Sequence, residues 1–285
     1  MKLDPQRPDS VLARQRFDRA AQHYDAAAVI QREIGTRLME RLDYIRMQPE
    51  RLLDLGCGTG LISEQALKRY ALTQIVSLDL ATSMVDYTRQ RLVAESRVAG
   101  VCADANALPL QDNSIDMVLS NLMLQWCNHL PQVFAECARV LRPEGLLMFS
   151  TLGPDTLHEL RDSWRQVDGY AHTSRFEDMH NIGDALLGAG FRDPVVDREV
   201  ITLTYAEVRG LLADLKGIGA NNATVGRSRG LTGKQRWQAF YQAYEQFKQP
   251  DGRYPATYEV IYGHAWAPLM KPSAKPERFI PIYAR

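Results

Sequence analysis

"LLDLGCGTG", residues 52–60, sets an apolar run ending in an acid directly against three glycines spaced two apart. The apolar half reads as a buried strand. Glycines directly after a strand let a ligand approach the main chain where any β-carbon would collide. Gly56, Gly58 and Gly60 make G-x-G-x-G, which departs from the G-x-G-x-x-G of dinucleotide-binding folds, where a pyrophosphate rests on a helix N-terminus. A nucleotide-like ligand other than a dinucleotide is expected. Asp54 closes the strand, and a carboxylate aimed into the mouth of the site suits a cationic ligand better than a phosphate. S-adenosylmethionine, cationic at its amine and its sulfonium, meets both conditions.

On either side of this stretch strands and helices alternate. "LISEQALKRY" reads as a helix, "QIVSLDL" as a strand, "SMVDYTRQRLV" as a helix, and "RVAGVCAD" and "SIDMVLSNL" as strands. "LPQVFAECARVL" is the next helix, followed by the strand "GLLMFSTL". Then come the helix "NIGDALLGAGF", with Gly190 at its stop, the alternating strand "PVVDREVITLTY" and a last strand, "ATYEVIYGHAWA". Such alternation predicts an α/β fold, a doubly wound, mostly parallel seven-stranded sheet covered on both faces. Phe17, Ala21, Tyr24, Ala28, Ile34, Leu38 and Leu42 recur at helical spacing, slipping near Ile30, so residues 1–48 are expected to form a helical cap. Residues 49–152 form the cofactor-binding half. Residues 153–178 and 206–250 exceed ordinary connections and contain helical patterns, so they are expected to form a substrate lid within a single domain spanning 1–285.

Composition bounds the function. With 285 residues, 45% of them apolar and 24% charged, the chain can bury a large core. The 34 basic residues balance 34 acidic ones, so no overall field attracts nucleic acid or an anionic membrane. The start of the chain carries no secretory signal pattern and no apolar run approaches the roughly 20 residues of a membrane span, which predicts a cytoplasmic protein. Cys57, Cys102, Cys127 and Cys137 form no C-x-x-C pair and have no histidine at zinc-ligand spacing, so they read as reduced core or near-core thiols, with no metal site.

The glycine motif resembles motif one of the class I S-adenosylmethionine-dependent methyltransferases, a Rossmann-like family, and the resemblance extends over most of residues 45–152. It implies that Asp79 in "VSLDLATSM", 19 residues beyond Gly60, holds the ribose hydroxyls with Leu80 beside it. It implies that Asp104 and Ala105 in "CADANALPL" meet the adenine edge. In "SNLMLQW" it places Asn121 and Leu122 beside the methionine moiety, and Gln125 and Trp126 near the acceptor. Structural alternatives stand beside these roles: Asp79 as a helix cap, Asp104 as a loop cap, Trp126 as core packing. "FDRAAQHYD", residues 17–25, would put Phe17 and Tyr24 on one helical face able to close over the cofactor, or would simply bury that helix.

The second half narrows the family. "TLGPDTLHELRDSWRQVDG", "RFEDMHNIGDALLGAGFRDPVVDREVITLTY", "LKGIGANNA", "RGLTGK" and "YPATYEVIYGHAWAP" resemble the malonyl-[acyl-carrier protein] O-methyltransferases of biotin synthesis, and with the other motifs the similarity spans nearly the whole chain. It implies methyl transfer from S-adenosylmethionine to the free carboxylate of a malonyl thioester on acyl carrier protein, leaving S-adenosylhomocysteine. A carboxylate, with a pKa of about 4, is already an anionic nucleophile, so no general base is required. A donor for it is required, and Arg161, Arg165, Arg175, His158, His172, His180 and the hydroxyl of Tyr24 are the candidates. "GRSRGLTGKQR", with Arg227, Arg229, Lys234 and Arg236, is the expected docking strip for an acidic carrier. Other readings are a methyltransferase of the same fold acting on a quinone precursor or small acid, a hydroxylase of the complex I assembly type, and a non-catalytic binding module.

Overall fold

The computed structural model describes residues 4–269; the two ends of the expected 1–285 domain, 1–3 and 270–285, lie outside the described residues. The strands are β1 (Arg51–Leu55), β2 (Gln74–Asp79), β3 (Val98–Cys102), β4 (Ile115–Asn121), β5 (Leu141–Leu152), β6 (Arg192–Tyr205) and β7 (Tyr254–Trp266). They form one seven-stranded sheet in the order β3-β2-β1-β4-β5-β7-β6. β1 runs parallel to β2 and β4, β3 to β2, and β5 to β4. β7 is antiparallel to both β5 and β6. The strand order reverses between β1 and β4, and it is outside the carboxyl ends of strands at such a switch point that α/β sheets bind ligands.

The helices are α1 (Ser10–Ala20), α2 (Tyr24–Ala27), α3 (Val29–Arg41), α4 (Leu61–Arg69), α5 (Thr82–Arg91), α6 (Leu130–Val140), α7 (His158–Arg165), α8 (Met179–Gly188), α9 (Val208–Gly217) and α10 (Lys234–Tyr244). Period-two alternation divides the sheet's side chains between two cores. Leu52, Ile75, Met117 and Met148 pack with Ile34 and Leu38 of α3, Ile62 and Ala66 of α4, and Trp164 and Phe240 of α7 and α10. Leu53, Leu55, Val118 and Phe149 pack on the other face with Phe134 of α6 and Leu186 of α8. Each such fully buried aliphatic or phenyl side chain stabilises by roughly 1.5–3 kcal/mol. β6 lies at the sheet's edge and alternates in exposure; Arg41 of α3 pairs with its Asp197 at 2.7 Å and lies 3.8 Å over the Tyr262 ring.

Two expectations are refined. The N-terminal region is three helices, because the chain turns at residues 21–23 and again at Ala28, whose ψ of 44° leaves the helical range. Asp9 starts the first of them, its side chain accepting the Leu12 N–H at 3.0 Å. β5 begins at Leu141, four residues before the expected strand, since Ile115 already pairs with Leu141 ahead of a register shift. One expectation is overturned: Cys57 and Cys137 are buried, but Cys102, at the end of the edge strand β3, is exposed.

Parts of the segments 153–178 and 206–250 wall a cavity together with Arg16 and Phe17 of α1 and with Leu122 and Leu152, at the carboxyl ends of β4 and β5. Val225 and Gly226 donate to the carbonyls of Arg7 and Pro5, Asp9 donates to that of Ala223, and Ala171 to that of Gly226. These ladders tie the start of the chain between the two insertions.

Candidate active site

The turn after β1 is built from glycines in left-handed conformations. Gly56, Gly58 and Gly60 have φ of +80°, +54° and +89°, which side chains other than glycine adopt at a cost of roughly 1–2 kcal/mol each. A β-carbon on Gly56 would lie 2.3 Å from Cγ of Met123, whereas one on Gly58 would meet no heavy atom within 4 Å. Gly58 faces open space. Its N–H donates to Oδ2 of Asp79 at 3.0 Å, and the Ala81 N–H donates to Oδ1 at 2.8 Å, so both carboxylate oxygens are fixed by main chain. Burial raises the Asp79 carboxyl above its ordinary pKa, against these two hydrogen bonds that lower it.

Asp54 is not where the sequence suggested. It lies on the Leu52 side of β1, fully buried, with Oδ2 accepting from the Ser63 N–H at 3.0 Å and the Ser63 hydroxyl at 2.6 Å. Its other oxygen, Oδ1, is buried without a hydrogen-bond partner. Desolvation pushes the Asp54 carboxyl up to about 7. It anchors the first turn of α4, whose N-terminal amides favour a negative charge, instead of rimming the mouth.

A cavity of about 240 Å³ opens in front of the turn, lined by Gly56, Gly58, Asp79, Leu80, Asp104, Ala105, Asn121 and Leu122. Asp54 and Gly60 are the expected cofactor residues absent from this wall. Ser10 and Arg14 of α1, Asn106 and Met123 line it too, unforeseen from sequence. Asp104 is an exposed loop cap as well as a wall: its Oδ1 accepts from the Asn106 N–H at 2.9 Å and Nδ2 at 2.7 Å. The Asn121 amide is internally committed, donating to the Gln31 carbonyl at 3.0 Å and accepting from the Ser150 hydroxyl at 2.7 Å. Leu122 follows with φ of +51°, a strained conformation of the kind that gathers at ligand sites. Both the carbonyl and the hydroxyl of Ser150 hold it in place by accepting its N–H, at 3.0 and 3.1 Å.

A second cavity of about 920 Å³ adjoins the first, walled by α1, α7, α9 and the loops between residues 172–176 and 218–232. Phe17, Tyr24, Leu122 and Trp126 line both cavities and so form the partition between them. The Phe17 and Trp126 rings meet edge to face, centroids 5.0 Å apart at 88°. Tyr24 opens the one-turn helix α2, which is pinned to the glycine turn: Asp25 accepts from the Thr59 hydroxyl at 2.6 Å and pairs with Arg91. Burial, then the charges of Asp79 and Asp25, push the Tyr24 phenol well above its ordinary pKa, so it stays protonated and able to donate. Gln125 lines the larger cavity too, its amide donating to the Leu122 carbonyl at 2.6 Å and accepting from Thr151 at 3.3 Å.

Of the expected carboxylate donors, His172 and Tyr24 line the larger cavity; Arg161, Arg165, Arg175, His158 and His180 do not. Arg161 donates to the Thr156 carbonyl at 3.2 Å, Arg165 pairs with Asp162 at 3.0 Å, and Arg175 lies 4.0 Å from Asp4. His172 stacks on Trp164, centroids 3.9 Å apart, and lies 2.8 Å from Asp168. The cations that sequence spacing missed are Arg16 and Lys216, which line the same cavity with Arg227 and Arg229. The expected docking strip is divided: Arg236 is tied to Asp168 and Arg227 is half-buried, whereas Arg229 and Lys234 are exposed. Among the described residues no group of three or more His, Cys, Asp or Glu is placed to hold a metal ion.

Residues 53–149 match the family model described as a methyltransferase domain. The chain is similar to the solved structure of a putative methyltransferase from Bacillus halodurans, with a TM-score of 0.58 at 16% identity over 82% of this chain and 98% of that one. It is also similar to Haemonchus contortus phosphoethanolamine N-methyltransferase 2 in complex with S-adenosyl-L-methionine, with a TM-score of 0.54 at 20% identity over 88% of this chain and 57% of that one. These likenesses concern the fold. Among curated proteins it is 54% identical to the malonyl-[acyl-carrier protein] O-methyltransferase of Gallionella capsiferriformans over 91% of each chain. It is 51% identical to that of a Methylovorus species over 100% of this chain and 98% of the relative. The chain belongs to the malonyl-[acyl-carrier protein] O-methyltransferase family.

A malonyl-[acyl-carrier protein] O-methyltransferase takes its methyl group from S-adenosylmethionine, and the smaller cavity fits that molecule. The bare turn at Gly58 leaves room for a ligand against the main chain, and Asp79 stands beside it, anchored by two amides.

Proposed function

We propose that the protein methylates the free carboxylate of a malonyl thioester carried on acyl carrier protein, giving the malonyl methyl ester that primes the pimeloyl part of biotin. The observation that carries this reading is the partition: the same four side chains line both the cavity in front of the glycine turn and the larger cavity beside it. S-adenosylmethionine supplies an electrophilic methyl group on its sulfonium. Asp79 holds the ribose hydroxyls with Leu80 beside it, Asp104 and Ala105 meet the adenine edge, and the Gly56–Gly60 turn, Asn121 and Leu122 shape the methionine end. Asp54 acts through the turn it anchors, at second hand.

The residues of the partition do the remaining work by orientation. The acceptor carboxylate is ionised at neutral pH and needs no base. Tyr24 offers it a hydrogen bond, Trp126 and Phe17 exclude water, and holding the reacting atoms in line contributes several kcal/mol, roughly the lower part of the range for positioned reactions. The insertions 153–178 and 206–250 serve as the lid over this chamber. Arg229 and Lys234, exposed on the second insertion, meet the acidic carrier. The reaction takes place in the cytoplasm, consistent with the absence, among the described residues, of a helix long and apolar enough to cross a membrane.

The test is to supply radiolabelled S-adenosylmethionine with malonyl-carrier protein, acetyl-carrier protein and quinone precursors in parallel. Label on the malonyl thioester as a base-labile ester supports the reading; label on a quinone precursor alone overturns it.

A further inference from the structure

Five groups that are or can be cationic line the larger cavity: Arg16, His172, Lys216, Arg227 and Arg229. His172 is engaged by Asp168 and Trp164, and Lys216 and Arg229 are exposed. Arg16 and Arg227 differ. Both are half-buried, and one carboxylate, Asp9, stands near the pair, 3.6 Å from Arg227. That carboxylate is itself shared, since its other oxygen caps α1 through the Leu12 N–H at 3.0 Å. Arg16 has no ion pair among the described residues: its guanidinium donates to the main-chain carbonyl of Asn221. Arg227 donates to the main-chain carbonyl of Thr224 at 2.8 Å.

Two half-buried guanidinium groups facing one cavity with a single, already engaged acid leave excess positive charge partly shielded from water. Burial, then the neighbouring charges of Arg227 and Arg19, hold the Arg16 guanidinium below its ordinary pKa. Such an arrangement costs stability, a cost that an anion entering the cavity offsets. The carbonyl bonds also orient both forks, and a planar fork favours a carboxylate, which it can grip with paired N–H bonds. Arg16 directly precedes Phe17 in the partition, about 3.8 Å along the chain, so an anion held there lies next to the wall shared with the cofactor cavity.

We propose that Arg16 and Arg227 form the site that recognises the free carboxylate of the acyl thioester, and so restrict the enzyme to acyl chains ending in an acid. This assignment rests on the reading of the protein as a malonyl methyltransferase. A carboxylate oxygen gripped by one N–H of the fork keeps a second lone pair, and that pair makes the attack.

The test is the ratio of dissociation constants for acetyl- and malonyl-carrier protein, measured on the full chain saturated with S-adenosylhomocysteine. The two ligands share the carrier, the prosthetic arm and its phosphodiester, so the ratio isolates the carboxylate. The wild type is expected to prefer the malonyl form at least tenfold. Arg16→Gln and Arg227→Gln each bring the ratio to within about twofold of unity, whereas Arg16→Lys retains part of it, and S-adenosylhomocysteine affinity is unchanged in all three. If Arg16→Gln does not fold, Arg227→Gln carries the same expectation. Variants that weaken both carrier species equally and keep the ratio would show that the pair reads the phosphodiester or the carrier, overturning the assignment. Variants with wild-type constants for both would overturn it too. A wild type that binds S-adenosylhomocysteine but methylates no malonyl thioester would remove the underlying reading itself, a result separate from any change in ratio.

Discussion

Phe17 of α1 and Trp126, in the turn after β4, meet edge to face with ring centroids 5.0 Å apart. Neighbours in space though 109 positions apart in sequence, they line both cavities. An edge-to-face pair contributes about 0.5–1.5 kcal/mol beyond its buried area. Its greater consequence is for the reaction, because a loosened partition admits water and lets the acceptor drift. Phe17→Ala is expected to lower kcat at least tenfold, about 1.4 kcal/mol in the barrier, with S-adenosylhomocysteine affinity falling less than threefold. Steady-state kinetics beside calorimetric titration check this; an unchanged kcat contradicts it.

The glycine turn separates fold from ligand. Gly56→Ala sets a β-carbon 2.3 Å from Met123, so it is expected to destabilise the protein by more than about 2 kcal/mol through overpacking and left-handed strain. Gly58→Ala meets no atom and carries only the backbone penalty, about 1–2 kcal/mol, yet projects a methyl group where the ligand must lie. Denaturant melts should rank Gly56→Ala as the less stable, while titration should show Gly58→Ala losing S-adenosylhomocysteine affinity at least tenfold. A Gly58→Ala variant with normal affinity would remove the close-approach argument.

Asp25, on the surface, places Tyr24. Its pairs with Thr59 and Arg91 are half-exposed, and such contacts contribute little to stability, about 0–1 kcal/mol. Asp25→Ala is therefore expected to shift Tm by a few degrees at most while lowering kcat/KM several-fold through looser placement of α2 and the phenol. Equal and large losses in both would assign Asp25 a structural role alone.

The Asp54 carboxyl titrates at about 7 in the folded chain and near 4 in the unfolded one. The folded state therefore holds the extra proton between those values. Stability contributed by the neutral acid is present below about pH 4 and is lost as pH rises through about 7. Asp54→Asn, which can still accept from Ser63, removes this dependence. The Tm of the variant relative to the wild type should rise from pH 4.5 to about pH 7 and then level off in scanning calorimetry; parallel curves across that range would contradict the assignment.

The sheet was legible because each parallel strand is an apolar run bounded by turn residues, and the glycine turn because its residue type is demanded by φ. The wall residues Asp79, Leu80, Asp104 and Ala105 were legible through the resemblance to class I methyltransferases, and they lie at or just past the ends of β2 and β3, at one crevice. Asp54 was misjudged although the signal existed: alternation puts it on the side of Leu52, away from Leu53 and Leu55. Arg16 was missed for a different reason. On its own helix it is one charge among several, and only the approach of the 220–227 loop, tied to the start of the chain by main-chain bonds, makes it a cavity wall. Of the proposed donors, His158, Arg161 and Arg165 lie on α7, His180 on α8, and His172 and Arg175 in coil, and of these six only His172 lines the larger cavity, a choice that spacing within one segment does not decide. Arg236, expected to dock the carrier, is instead drawn to Asp168, 68 residues away.

The central claim is that the partition of Phe17, Tyr24, Leu122 and Trp126 is where the methyl group crosses. A crystal structure of the full chain with S-adenosylhomocysteine and a malonyl thioester bound together tests it most directly. The sulfur is expected on the glycine-turn side and the carboxylate on the insertion side, in contact across those four side chains. A carboxylate seated away from the partition, or a sulfur pointing elsewhere than toward Tyr24 and Trp126, would contradict it.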